Sequence, residues 1–168
     1  MTLSELNELS GAELRAALTT CCGSSNWVAE MVKIFPADSR ETVTRQAEII
    51  WFGCSETDWK EAFEQHPKIG DIDSLRSKYA NTRKWASGEQ SGVAGASETI
   101  LERLSEGNRL YEAKFGYIFI VCATGKSAEE MLAILESRLP HSPGEEILVA
   151  MQEQNKITKI RLDKLLMA

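Results

Sequence analysis

The sequence contains two histidines, the residue type best suited to exchange protons near neutral pH, and one of them has an informative setting. His66 stands directly before Pro67, and a residue before proline is pushed out of the α-helical region, so its ring would be held in one direction at a helix end. His141 lies beside Pro140 in a predicted turn, where a solvated loop residue is the simpler interpretation. His66 is therefore the candidate catalytic imidazole, although a histidine that caps a helix C-terminus would look the same locally.

A hydroxyl, a carboxylate and an amide occur together in the segment Ser87-Gly88-Glu89-Gln90. The pattern predicts a helix start, where free backbone amides favour negatively charged ligands. Ser87 and Gln90 also match a capping box, in which two side chains satisfy two backbone amides and no ligand is needed. Only Glu89 is left unexplained by capping.

The last amphipathic segment carries an arginine among its apolar residues. With each residue turned by about 100° around a helix axis, one face collects Ile147, Ala150, Met151, Gln154, Ile157, Arg161, Leu162 and Leu165. Glu145 and Glu146 are expected on the outward, charged side. Burying an unpaired guanidinium is costly, so Arg161, in the middle of this face, should pair with an internal acid, reach solvent or bind a ligand such as a planar imide or carboxylate.

The sequence carries no cofactor signature. Its cysteines lack Cys-x-x-Cys spacing and a neighbouring activating base, and are predicted to be reduced packing residues at positions Cys21, Cys22, Cys54 and Cys122. Neither a metal constellation nor a nucleotide-binding glycine loop is visible. We therefore expect chemistry without a cofactor or a metal.

Charge and hydropathy exclude two classes of partner. Lys and Arg total 19 against 25 Asp and Glu, and the net charge of −6 leaves no basic stripe for nucleic acid. No window is apolar enough to span a bilayer, and the first residues do not resemble a signal peptide. We expect a soluble, cytoplasmic protein that forms one domain over residues 1–168, a length sufficient for a sizeable core.

Capping boxes predict where several helices begin, because Ser, Thr or Asp followed three residues later by Glu or Gln satisfies amide groups at a helix start. The predicted starts are Ser10, Asp38, Ser87, Ser127 and Ser142. Apolar residues at helical spacing follow them, and two further helices are expected to end at Pro36 and near His66. The pattern predicts an all-α, single compact multi-helix domain.

Residues 115–122 are the exception to the helical pattern. They are rich in β-branched and aromatic residues, and Gly116 and Gly125 are expected to interrupt regular secondary structure. The segment could be extended or a buried helix. Because one strand makes no sheet, we expect a local element within an all-α domain.

The combination of motifs resembles the 2-oxo-4-hydroxy-4-carboxy-5-ureidoimidazoline (OHCU) decarboxylase family over nearly the whole chain. The motifs that carry the resemblance are His66-Pro67-Lys68-Ile69-Gly70, Ser87-x-Glu89-Gln90, Asn108-x-x-Tyr111-x-x-Lys114-Phe115-Gly116-Tyr117-x-Phe119-Ile120 and Ile160-Arg161-Leu162. The connection at residues 140–143 departs from the Asn-containing turn expected in relatives.

The resemblance implies an all-helical, cofactor-free enzyme, commonly a homodimer, that completes the oxidation of urate to (S)-allantoin. It implies catalytic roles for His66 and its acidic partner Glu89. The residues implied in substrate binding are Pro67, Ser87, Gln90, Phe119, Ile120 and Arg161.

Two other interpretations remain open at the level of sequence. The chain could be a helical binding module, in which Arg161 meets an internal acid and His66 caps a helix. It could also be a decarboxylase or hydratase for a related ureido or hydantoin compound, which a substrate panel would distinguish.

Overall fold

The computed structural model of the chain describes residues 1–68, 70–79 and 91–167, the last range with side chains from residue 98 onward. The described residues form helices and irregular connections, and no strand occurs among them, which confirms the all-α prediction. The helices are α1 (Leu3–Glu8), α2 (Gly11–Thr19), α3 (Ser25–Val32), α4 (Arg40–Phe52), α5 (Glu56–Glu64), α6 (Ile72–Lys78), α7 (Ser91–Phe115), α8 (Ala128–Arg138) and α9 (Pro143–Leu165).

Side-chain caps determine where many of these helices begin. Ser10, Ser127 and Ser142 accept backbone N–H groups at the starts of α2, α8 and α9, as predicted. Two capping boxes that the sequence analysis missed begin α1 at Thr2 and α5 at Ser55. The same rule could have found Thr2, whose partner is Glu5. It could not have found Ser55, because the partner there is Asp58 and the rule admits only Glu or Gln.

Two predicted helix boundaries were wrong: the start of α4 by one residue and the end of α3 by four. The cap of α4 is Ser39, whose hydroxyl accepts the N–H of Thr42 at 3.1 Å, and not Asp38. Serine and aspartate are comparable caps, so residue type alone could not decide between neighbours. Helix α3 ends at Val32, before Pro36, because the next residues form tighter turns in which Phe35 N donates to Val32 O at 3.3 Å.

The described chain divides into two compact units, so the expectation of one domain over residues 1–168 stays a prediction. The first unit comprises Met1–His66 and Val149–Ala168. Three tryptophans organise it: the indole N–H groups of Trp27, Trp51 and Trp59 donate to the backbone carbonyls of Ala47, Met151 and Trp51 at 2.8–3.0 Å. Trp27 and Trp51 thus pack in the core without leaving a buried donor unsatisfied, and Trp59 is half-buried.

The second unit comprises Pro67–Leu148 and is built on the packing of α7 against α6 and α8. Gly107 of α7 lies against Leu135 of α8, where an added Cβ would come within 2.6 Å of the leucine side chain. Any larger residue at this position would therefore force the buried Leu135 side chain to shift. Leu101, Leu104 and Leu135 are almost completely buried in this unit.

Residues 116–123 form an irregular connection between α7 and α8, neither helix nor strand. Gly116 has a φ of +83°, a conformation that glycine adopts without strain, and it ends α7 directly after Phe115. This outcome agrees with the expectation of a local element in an all-α protein. None of the described helices is long and apolar enough to cross a membrane.

Candidate active site

His66 lies at the C-terminal end of α5, where the sequence placed it. The helix ends at Glu64, and the backbone N–H of His66 donates to the carbonyl oxygen of Phe63 at 3.3 Å. Phe63 is fully buried and anchors this end of the helix in the first unit. The His66 residue is half-buried, so part of its surface is accessible to solvent.

The partner of the imidazole is a buried glutamine on α9. His66 Nε2 forms a short hydrogen bond with Gln154 Oε1, and Gln154 Nε2 donates to the hydroxyl oxygen of Thr158 at 3.1 Å. Gln154 is completely buried and Thr158 nearly so. Helical periodicity predicted that Gln154 lies on the inward face of this helix, but its residue type indicated no function.

The surroundings of His66 favour the neutral imidazole. Burial lowers the pKa of His66 below its ordinary value near 6.5, the hydrogen bond to Gln154 opposes that shift, and the positive charge of Arg161 adds to it. The neutral form therefore predominates at pH 7. A neutral imidazole has one nitrogen able to accept a proton, which general base chemistry requires.

Arg161 lies at the margin of the buried face of α9, and not in its middle as expected. The face is formed by residues around Met151, Gln154 and Leu162, whereas Arg161 is half-buried. Its positive charge acts on both His66 and Cys21. Within the described residues Arg161 has no hydrogen bond or ion pair, which leaves its donors available to a ligand.

In the second unit, a buried arginine holds the segment that contains Phe119 and Ile120. Arg138 donates to the backbone carbonyl of Ile120 at 2.7 Å, and its guanidinium lies 4.7 Å from the centre of the Phe119 ring. Tyr111 contacts Phe119 edge to face, with ring centres 5.2 Å apart. These contacts fix the position of two residues that the resemblance assigns to substrate binding.

The charge of Arg138 is balanced by Glu146, which the sequence analysis wrongly placed on the outward side of its helix. Arg138 Nε donates to Glu146 Oε2 at 3.0 Å, the Tyr111 hydroxyl donates to the same carboxylate, and His141 Nδ1 lies 3.1 Å from Oε1. Glu146 is completely buried. Burial disfavours its charge, but the hydrogen bonds from Arg138 and Tyr111 prevail and hold its pKa below the ordinary range.

His141 is therefore not a simple solvated loop residue, since its half-buried ring contacts this buried carboxylate. The periodicity of one helix could not reveal the burial of Glu146. Its partner Arg138 lies on another helix, and the pairing depends on the turn between α8 and α9.

The other predicted site residues are only partly described. Pro67 is exposed, while Phe119 is half-buried and Ile120 is buried. Ser87, Glu89 and Gln90 lie outside the described residues, and their roles stay predictions. The four cysteines are all buried, as expected of packing residues. Among the described side chains, no cluster of three or more His, Cys, Asp or Glu could hold a metal ion.

Together, a helical fold, a half-buried neutral imidazole and an arginine that has no ion pair among the described residues define a candidate acid–base enzyme. Residues 7–163 match the family model described as OHCU decarboxylase. The chain therefore belongs to the OHCU decarboxylase family.

Similar proteins include relatives of different overall length. The chain is 40% identical over 146 residues to the "Uric acid degradation bifunctional protein TTL" of Arabidopsis thaliana, covering 86% of this chain and 45% of that protein. It is 23% identical to the "2-oxo-4-hydroxy-4-carboxy-5-ureidoimidazoline decarboxylase" of Haloferax volcanii, covering 96% of this chain and 94% of that protein. The chain thus spans less than half of the Arabidopsis protein.

A solved structure shares the fold. The chain matches a crystal structure of OHCU decarboxylase in the presence of (S)-allantoin with a TM-score of 0.69 and 37% sequence identity. The match covers 88% of this chain and 95% of that one.

Proposed function

We propose that this chain catalyses the decarboxylation of OHCU to (S)-allantoin in urate degradation. The observation that carries the proposal is the arrangement in the first unit, where a neutral His66 imidazole is held by Gln154 and feels the charge of Arg161, which no acid among the described residues neutralises. Family membership and the named activity of the Haloferax relative support the substrate.

The substrate has a carboxylate and a hydroxyl on one ring carbon, next to a carbon of a C=N bond. When the bond to the carboxylate breaks, its electron pair moves into the ring and is accepted by the imine nitrogen, which takes up a proton, while carbon dioxide leaves. The resulting enol is then protonated on the carbon that bears the ureido group and loses its hydroxyl proton, which gives the ring amide carbonyl of the product. The substrate itself is the electron sink in this sequence.

His66 accepts the proton of the substrate hydroxyl in this proposal, because its imidazole is neutral at pH 7. Glu89 is proposed as the acidic partner whose charge stabilises the imidazolium after the proton has been accepted, with Ser87, Gln90 and Pro67 contacting the substrate. Phe119 and Ile120 line the substrate, both partly through backbone groups. Protonation of the enol from one side gives a single enantiomer.

Arg161 is proposed to bind the ring and urea oxygens of the substrate and to align the breaking bond with the π system. A guanidinium presents a planar set of donors that suits paired carbonyl oxygens. A binding module would instead need an acid to neutralise Arg161, and no acid among the described residues pairs with it.

Replacing Arg161 tests this assignment. Arg161→Met should lower kcat/KM about ten- to a hundredfold, since a hydrogen bond to a charged group contributes roughly 1.5–3 kcal/mol. Lys164→Met is the matched control, because Lys164 is an exposed cation on the same helix. Equal kcat/KM values for the two variants would remove Arg161 from the binding site.

The activity itself is tested with substrate generated from urate by urate oxidase and hydroxyisourate hydrolase. Purified protein should consume OHCU faster than its spontaneous decay. A panel of related ureido and hydantoin compounds, assayed in parallel, distinguishes OHCU from other substrates. Loss of a different compound, with OHCU decay unchanged, would replace the proposed substrate.

We also propose that the protein is a cytoplasmic homodimer. The family resemblance supports the dimer, and Ile49 and Phe52 of α4 expose 57% and 45% of their surface. The free thiols of Cys21, Cys22 and Cys54 suit a reducing compartment. Light scattering should give about twice the mass of 18.7 kDa, and a mass near that of one chain would contradict the dimer.

A further inference from the structure

Gln154 is a buried amide with both ends of its side chain engaged. Its surface is 0% exposed, and it lies between His66 and Thr158. A buried polar group without partners is costly, so these two hydrogen bonds define the orientation of the amide.

The direction of each hydrogen bond follows from the groups involved. Gln154 Nε2 donates to Thr158 Oγ1 at 3.1 Å, which turns the carbonyl end of the amide toward His66. The Thr158 hydroxyl in turn interacts with the Cys22 thiol. The carbonyl oxygen of an amide can only accept, so the proton in the bond between His66 and Gln154 belongs to His66 Nε2.

We propose that Gln154 is a positioning residue that holds His66 in the tautomer protonated on Nε2, leaving Nδ1 as the nitrogen that accepts the substrate proton. The hydrogen bond made by one ring nitrogen determines which nitrogen is free. The role of Nδ1 toward substrate rests on the proposed function, whereas the tautomer of the free protein does not.

The tautomer can be measured directly by ¹⁵N NMR of the ring nitrogens. The chain has two histidines, so a His141→Gln background leaves one imidazole to observe. In that background, Nε2 of His66 should be protonated and Nδ1 unprotonated at neutral pH. Gln154→Leu should give a mixture of both tautomers, while Gln154→Glu should keep the proton on Nε2 because a carboxylate oxygen also accepts.

The two Gln154 variants should also differ in activity and in its pH dependence. Gln154→Leu should lower kcat about ten- to a hundredfold, the range that follows loss of the hydrogen-bonding partner of a metal-ligating histidine. Gln154→Glu should retain more activity and move the acid limb of kcat/KM to higher pH, because a nearby carboxylate stabilises the imidazolium. Gln152→Leu, an exposed glutamine on the same helix, is the control and should match wild type.

A His66 ring protonated on Nδ1 in the Gln154 protein would overturn the inference, even with full activity. An unchanged tautomer and pH profile in both Gln154 variants would do the same. If wild type lacks activity while Nε2 carries the proton, the proposed function fails and the orienting role of Gln154 stands. If Gln154→Leu does not fold, the wild-type spectrum still shows which ring nitrogen of His66 carries the proton. The pH profile of Gln154→Glu then tests whether Gln154 acts on the imidazole.

Discussion

His66→Gln should lower kcat/KM for OHCU by about 10²- to 10⁴-fold, the range that a positioned acid–base group contributes. The glutamine amide can still donate to the Gln154 carbonyl oxygen, so the buried amide keeps a partner. It has no group that accepts a proton near neutral pH. Steady-state kinetics on freshly generated substrate, with circular dichroism of the protein, separates loss of chemistry from loss of fold.

The matched control for this variant is Glu64→Gln. Glu64 is the exposed last residue of α5, two positions before His66, and its replacement changes the same helix end without touching the imidazole. We expect kinetics close to wild type. If His66→Gln is as active as Glu64→Gln, the imidazole does not take part in the reaction.

The second large effect concerns stability. Arg138→Met should lower the free energy of unfolding by roughly 3–5 kcal/mol, because it leaves the carboxylate of Glu146 buried without its cation. The side chains of Arg138 and Glu146 are 4% and 0% exposed, so solvent cannot compensate. Since small domains are stable by only about 5–15 kcal/mol, urea unfolding should show a large shift in midpoint.

Two comparisons isolate the buried pair. Arg103→Met removes an arginine that pairs with Glu136 on the surface, where both side chains are about half exposed, and should have little effect. The double variant Arg138→Met with Glu146→Leu should be less destabilised than Arg138→Met alone, since no isolated charge remains. A single variant no less stable than Arg103→Met would contradict this account of the pair.

Local sequence signals predicted the features of the fold that depend on neighbouring residues. The cap at Ser10 was confirmed because its partner Glu13 is three residues away and the hydrogen bonds are local. The choice between Asp38 and Ser39 failed because both residues are good caps. The segment after Phe115 was predicted to be an exception to the helical pattern. Its conformation could not be predicted, because it depends on contacts with other helices.

The candidate site could be predicted only where residue type itself carried chemistry. His66 was identified by its imidazole and by the following proline, and Arg161 by its charge among apolar neighbours. Gln154 gave no such signal, because a buried glutamine has a role only through partners that are distant in sequence, here 88 residues away. The burial of Glu146 was missed for the same reason, since Arg138 lies on another helix.

The most direct test of the account is the handedness of the product. Freshly generated OHCU is mixed with wild-type protein or with His66→Gln, and allantoin is followed by circular dichroism. Wild type should rapidly give the signal of (S)-allantoin, and His66→Gln should give mainly the slow racemic product of spontaneous decay. A racemic product formed at the spontaneous rate with wild type, or a fast (S)-signal from His66→Gln, would contradict decarboxylation centred on His66.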